Sequence, residues 1–394
     1  MNRPTAAVVM LAALSRFAAA QEATTAGPPP APGPNPAPAP AADKQQVAPE
    51  PEAGPIGHKF ELSAFGYLRM QYIAVQNDPN VQFVGRDDGF ELQNARAGIR
   101  AVLDDKADVI LAIDGAVDER AQNQVQGKLR VGLRDAFTDV HVGRPLDVRA
   151  GYFLAWVDPE ALIPDTQREF VDHPIESRGM RSTEGWYTPG LPPGRSMGVA
   201  LHMDPKPVAS GAAIGFELAV QNGADEFAAN NDNDMPAVSA AGVVRLPSNG
   251  FVIAAARWNP RTVGDLPFRQ DETDYQGTLG AHVAFGPVAV GGGVIVQRTI
   301  FESTGGPAQD AYGAHAQLMV TIPSAQPLAV GYRFGVLDPS SLITTDRVME
   351  HTLGIVLGVP SYRMRVQLQL THVAEQADRD LSNDRIQLAG EVSL

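Results

Sequence analysis

The chain has 394 residues, a formal net charge of −14 and no cysteine. The acidic balance argues against nucleic acid as a partner, because a phosphate backbone selects for lysine and arginine. The missing cysteine excludes a disulfide scaffold, a thiolate metal site and a lipid-modified N-terminal cysteine.

Residues 1–20 read as a secretory signal peptide. Arg3 gives the positive start, Thr5–Leu14 the apolar stretch, and Ala18-Ala19-Ala20 a small-residue cleavage site. Residues 21–57 are dominated by proline and alanine, with Pro28-Pro29-Pro30 and the run Pro36–Pro40. Such a segment cannot bury a core and reads as an extended linker. No later stretch offers the 18 or so consecutive apolar residues of a membrane-spanning helix.

From residue 58 onward the pattern is that of strands. Sixteen candidates fall at 60–75, 89–103, 107–118, 129–142, 146–155, 196–204, 211–221, 237–246, 251–258, 274–285, 288–301, 311–322, 327–337, 347–358, 361–373 and 385–394. The clearest is Tyr362–Thr371. There Tyr362, Met364, Val366, Leu368 and Leu370 alternate with Arg363, Arg365, Gln367, Gln369 and Thr371. Successive strand side chains point to opposite faces, so one face seeks an apolar medium and the other water. Strand one repeats this, with Leu62, Ala64, Gly66, Leu68 and Met70 against Glu61, Ser63, Arg69 and Gln71. Strand four breaks phase between Leu133 and Ala136, and a bulge near Arg134-Asp135 restores it, since one extra residue swaps the faces. Pro205, Pro247, Gly286-Pro287, Pro323, Pro327 and Pro360 read as turn positions.

The connections sort by parity. Even-numbered strands are followed by short links such as Asp104–Lys106, Gly143–Pro145 and Gly286-Pro287, and odd-numbered ones by long polar links such as Gln76–Asp88, Asn222–Pro236, Asn259–Thr273 and Ala374–Asp384. A transmembrane barrel requires this, with tight turns on one side and longer loops on the other. The fold expected is therefore all-β: a 16-stranded antiparallel transmembrane β-barrel over residues 58–394, in the outer membrane, with the linker in the periplasm. Outer-membrane lipid and small solutes or ions are its expected partners. The alternative is an exported β-rich binding or adhesive protein without a channel. Tyr67, Tyr72, Trp156 and Trp258 are the candidates for interfacial aromatic girdles.

Trp156–Arg195, after strand five, is far longer than any other link. Sixteen strands enclose a channel too wide for the wall alone to select, and a segment folded inward narrows it. Its charges include Asp158, Glu160, Asp165, Glu169, Asp172, Glu176 and Glu184 against Arg168, Arg178, Arg181 and Arg195. On the wall, Arg69, Arg96, Arg100, Arg149, Arg333, Arg363, Arg365 and Arg385 face the lumen, as do Asp108, Asp114, Asp118, Asp147, Glu217 and Glu350. Rings of charged side chains select ions, and arginine suits oxyanions through its planar donor fork. The pore-lining and constriction candidates are Arg69, Arg96, Arg100, Arg149, Arg168, Arg178, Arg181, Arg363, Arg365, Asp158, Glu160 and Glu169.

Gly66-Tyr67 with Arg69, Ala95-Arg96 with Gly98, Leu133–Phe137, Arg149–Phe153, Pro159–Leu162 and Arg168-Glu169-Phe170 resemble the opening of the phosphate-selective porin O/P family. The resemblance covers about residues 60–200; beyond that only the strand pattern is shared. It implies a homotrimeric pore whose third external loop, here Trp156–Arg195, folds into the channel. Two departures stand out. Leu154-Ala155-Trp156-Val157 replaces the Lys and Pro that such porins carry, and the chain ends in Leu394 instead of an aromatic residue.

Catalytic, cofactor and metal sites are not expected. Gly194–Gly198 matches a nucleophile-elbow spacing, but Pro192-Pro193 precede it and strand alternation follows, where that elbow needs a strand before and a helix after. Asn230–Asp234 lacks the glycine and distal glutamate of a calcium loop, and the histidines show no metal spacing. Gly291-Gly292-Gly293 lies inside a strand pattern and cannot cradle phosphate at a helix start.

Overall fold

The computed structural model describes residues 59–86, 88–116, 131–143, 145–208, 211–223, 233–247, 250–264, 269–302, 306–324, 326–376 and 380–394. The signal and linker readings, Asp118 and most of Asn230–Asp234 lie outside these residues.

Sixteen antiparallel strands close into one barrel. They are β1 (Phe60–Val75), β2 (Gly89–Leu103), β3 (Ala107–Asp114), β4 (Gly132–Gly143), β5 (Leu146–Phe153), β6 (Ser196–Pro207), β7 (Ala213–Asn222) and β8 (Pro236–Arg245), then β9 (Phe251–Val263), β10 (Gln270–Phe285), β11 (Val288–Phe301), β12 (Gln309–Ile322), β13 (Leu328–Asp338), β14 (Arg347–Val359), β15 (Met364–Gln376) and β16 (Arg385–Ser393). Each strand pairs with its neighbours in sequence. Closure comes from β1 against β16, in register from Tyr67 opposite Ser393 to Val75 opposite Arg385. A closed ring leaves no unpaired edge.

The burial pattern inverts that of a soluble protein. Leu68, Met70, Leu370, Ile386 and Val392 are exposed on the outside, while Arg69, Gln71, Gln367, Gln369, Thr371, Gln387 and Glu391 are buried inside. Burying so many polar groups is tolerable only where they pair with one another, and they do. Outward aromatics gather at both rims. Phe60, Phe285 and Tyr362 sit beside short turns, and Phe90, Tyr275 and Tyr312 toward the long links. Tyr72 packs edge-on against Phe90 at 5.1 Å.

The bulge expected in strand four is present. Ala112 pairs with Asp135 and Ile113 with Leu133, so Arg134 is the extra residue. Leu133 before it and Val140 after it are both exposed outward although their parity differs.

Three readings need correction. β9 runs through Pro260 to Val263 and pairs with β10 from Gln270, so the link there is 264–269 and not Asn259–Thr273. The β8 register ends at Trp258, so beyond it β9 is an edge on that side, where proline is tolerated. β6 likewise continues past Pro205 to Pro207, with a register shift between Met203 and Lys206 that absorbs the proline. Arg363 is not on the wall. It closes the turn between β14 and β15 in the left-handed region, at φ 48°, and is exposed.

Between β5 and β6 the chain forms short turns: Pro159–Leu162, Asp165–Gln167 and the helical turn Ile175–Arg178. A ribbon pairs Gly179-Met180 with Thr188-Pro189. Among the described residues no helix is long and apolar enough to cross a membrane.

Candidate functional site

The segment 156–195 docks on the inner wall through an apolar root, two arginine–carboxylate clusters, and a further apolar cluster in which Ile175, Met180 and Leu191 pack on Leu337, Val348 and Val373. Its root is apolar. Trp156, Leu162 and Ile163 pack on Val243, Phe251 and Ile253 of β8 and β9. Trp156 also lies 6.0 Å edge-on from His202, and its backbone N–H donates to Glu217 at 2.7 Å. It therefore belongs inside the barrel and not to an interfacial girdle.

The second contact centres on Asp165. Its carboxylate accepts from the Tyr67 hydroxyl at 2.6 Å, Arg168 at 2.7 Å and Arg96 at 3.4 Å. Its backbone carbonyl accepts from Arg69 at 2.6 Å and Arg365 at 2.7 Å. Arg69 and Arg365 both hold Glu391, and Arg96 and Arg195 both hold Asp135. Burial pushes the Asp165 carboxyl up, but Arg168, Arg134, His173 and the Tyr67 hydroxyl overcome this and hold it well below the usual carboxylate range. Tyr67, like Trp156, is a lumen residue and not a girdle residue.

The third contact is a closed ring of ion pairs. Arg178 binds Glu184 at 2.7 Å and Glu350 at 2.6 Å, and Arg385 binds the same two carboxylates at 3.2 and 2.6 Å. All four side chains are at most 4% exposed. Burial alone would raise the Glu184 carboxyl, yet Arg178, Arg385 and Arg181 hold it far below its ordinary value. Arg178 is raised in turn by Glu184, Glu350 and Asp172, against the opposing effect of burial. Asn383, from the last long link, donates to the Glu184 carbonyl at 2.8 Å, and Arg181 binds Glu91 at 3.0 Å.

The remaining acidic candidates face a different part of the wall. Asp158 caps the first turn through the Glu160 N–H at 2.9 Å and accepts from Ser177 at 3.2 Å. Glu169 meets His282 at 3.3 Å and Gln317 at 3.0 Å. Glu160 lies 3.8 Å from His315, whose other ring nitrogen contacts Glu176. Gly313 and Gly354 make room here, because a Cβ on either would overlap Glu176 or Phe170. Arg333 stacks over Phe170 at 4.5 Å and donates to the Asp172 and His173 carbonyls. A cavity of 310 Å³ lies between segment and wall, lined by Glu160, Arg168, Glu169, Arg245, His282 and Arg333 among others.

Of the sequence candidates, the fold thus unites Arg69, Arg96, Arg168 and Arg365 around one residue, Asp165. Arg178 and Arg181 belong to the ring, and Asp158, Glu160 and Glu169 to the histidine side. Two stand apart. Arg149 is bidentate to Asp139 at 2.8 and 2.9 Å, above the Phe137 ring at 4.2 Å. Arg100, half exposed near a short turn, pairs with Asp108 at 2.6 Å. Sequence reasoning missed Asp165 and Tyr67 as a pair, the histidines and the apolar inner face of β8 and β9. Only the odd-numbered run Val243, Phe251 and Ile253 could have signalled that last feature. Among the described residues no group of three or more His, Cys, Asp or Glu could hold a metal ion.

No protein-family model matches this chain, and no curated protein does. Solved structures match its fold. An anion-selective porin from Comamonas acidovorans superposes with a TM-score of 0.59 at 14% identity, covering 85% of this chain and 100% of that one. The outer membrane channel DcaP of Acinetobacter baumannii gives 0.58 at 10% identity, covering 85% and 97%. An OmpT outer membrane protein of Vibrio cholerae lacking loop L8 gives 0.58 at 11%, covering 85% and 99%. At these identities the similarity establishes one thing, that the chain has the sixteen-stranded barrel fold of outer-membrane channels.

Proposed function

We propose that this barrel is an outer-membrane porin that passes small hydrophilic solutes by diffusion, with segment 156–195 as its constriction. The observation that carries the reading is the inverted wall: exposed apolar side chains outside, paired polar ones inside, and a long segment anchored against the polar side. A lipid solvent outside and water inside account for that sorting, since a charge at the lipid-facing midplane costs about 2–4 kcal/mol. Anchors on β1, β2, β8, β9 and β12–β16 support a segment that crosses the lumen.

Small anions, inorganic phosphate among them, are the favoured solutes. The guanidinium groups of Arg69, Arg96, Arg168 and Arg365 gathered at Asp165 support this, as does the fold shared with a porin described as anion-selective. Residues 1–20 direct export and 21–57 form a periplasmic spacer. The assembly is a homotrimer, in line with an OmpT structure described as a trimer form. Planar-bilayer recording of the purified protein tests the reading. Stepwise conductance with a reversal potential on the anion side supports it; the absence of steps defeats the pore, and a cation-side reversal potential defeats the anion preference.

A further inference from the structure

Two histidines face outward on the barrel, near the long-link ends of β14 and β15. His351 and His372 stand directly opposite each other in the register of the two strands, and both are exposed. The next outward pair toward the short turns, Leu353 and Leu370, is apolar. Opposite residues of an antiparallel pair hold their Cβ atoms about 4.5–5.5 Å apart, so the two side chains share one space. Their ring centroids lie 6.1 Å apart, with planes 30° from parallel.

Each ring is held by one nitrogen and leaves the other open. Nδ1 of His351 lies 2.7 Å from the Tyr332 hydroxyl on β13. Nδ1 of His372 lies 2.8 Å from Asp384 Oδ1, just before β16. That oxygen also accepts from the Val373 N–H at 3.1 Å, which ties the carboxylate to the strand. Phe334 backs His351 at 5.2 Å. Among the described residues neither Nε2 has a hydrogen-bond partner. Metal-binding histidines are oriented in this way: the second ring nitrogen donates to an oxygen, which fixes the ring and makes the first a stronger ligand. Bonds of about 2.0–2.1 Å from each ring to a shared ion place the two centroids roughly 4.5–6.2 Å apart. The pair stands at the wide end of that range, within a small side-chain rotation of chelation.

We propose that His351 and His372 form a two-nitrogen site on the outward face of the barrel for a divalent transition cation of the copper and zinc class, with water completing its coordination. Imidazole suits these ions, and Cu²⁺ leads their order of affinity. Ca²⁺ and Mg²⁺ take oxygen ligands and are rejected. Tyr332 and Asp384 hold the rings, and Asp384 adds negative charge beside the cation. No local spacing in the chain marks the pair; only the register of β14 on β15 brings it together. The site goes beyond the pore reading and does not depend on whether the lumen conducts.

Calorimetric titration of the purified full-length protein in detergent with Cu²⁺ tests the site, with electron paramagnetic resonance at one equivalent. One ion per chain and coupling to two imidazole nitrogens are expected. His351→Gln and His372→Gln should each weaken binding at least tenfold and remove the two-nitrogen coupling. His141→Gln, at an exposed histidine elsewhere, should change neither. Tyr332→Phe should weaken binding several-fold while both nitrogens stay coupled; unchanged binding overturns the part given to the tyrosine. No Cu²⁺ uptake by wild type, wild-type binding in either histidine variant, or displacement of Cu²⁺ by equimolar Ca²⁺ overturns the proposal. If a histidine variant gives no heat-modifiable folded species, diethyl pyrocarbonate labelling of wild type decides. Cu²⁺ should protect both His351 and His372, and failure to protect either one overturns the pair.

Discussion

Two parts of the inner wall hold the same segment by opposite chemistry. On β8 and β9, Val243, Phe251 and Ile253 face inward and take Trp156, Leu162 and Ile163 as a small dry core would. Across β1, β2, β15 and β16, arginines and carboxylates hold Asp165 and the Arg178–Glu184 pair, the latter beside a smaller apolar cluster in which Ile175 and Met180 meet Leu337, Val348 and Val373. The apolar contact is non-directional and tolerates small shifts. The charged contacts are directional, and each fixes a geometry. The root thus sets where the segment leaves the wall, and the ion pairs set where it stops.

That contrast breaks most sharply at the buried ring. Glu350→Gln leaves Arg178 and Arg385 sharing one carboxylate, and removing one partner from a buried pair costs about 3–5 kcal/mol. The variant should show a lower urea midpoint for the heat-modifiable band and faster protease cleavage within 156–195. Ile253→Ala probes the root and should cost about 2–4 kcal/mol by cavity formation. Its signature differs, with cleavage near Trp156 and an intact ring. Arg365→Gln leaves Arg69 on Glu391 but removes the bonds to the Asp165 and Arg168 carbonyls, and should move the reversal potential toward cations with a smaller drop in the urea midpoint than Glu350→Gln.

The charged contacts also predict a pH response that the apolar root lacks. Asp165, Asp172 and Glu184 are depressed below their ordinary values. A depressed carboxylate contributes stability that is fully present above its unfolded value of about 4 and lost as pH falls through the folded one. The Asp165 and Glu184 anchors should therefore hold from pH 7 to pH 5 and weaken only below about pH 4, as read by protease protection around those two residues. Arg100→Gln gives the smallest effect, about 0–1 kcal/mol, because Arg100 is half exposed and its pair with Asp108 is screened by solvent near a short turn.

The same contrast explains what could be read from the chain. Period-two alternation in Tyr362–Thr371 and the parity of the links were enough for the barrel. The bulge at Arg134 followed from the face swap it repairs. β8 and β9 were harder, because Val243, Phe251 and Ile253 make both of their faces apolar and erase the alternation. Arg69 and Glu391 lie 322 positions apart and meet only because β1 closes on β16. No local pattern encodes that meeting, so the arginines were visible as lumen residues but not as one cluster. Arg363 shows the limit of parity, since its alternation runs on past the point where the chain turns.

The central claim is that segment 156–195 narrows a water-filled lumen, and one measurement reaches it. Single-channel conductance in planar bilayers is compared between the wild-type protein and a variant whose residues 158–194 are replaced by a short Gly/Ser link. The account predicts discrete steps in both, several-fold larger in the shortened variant. Steps of equal size in the two proteins would contradict it.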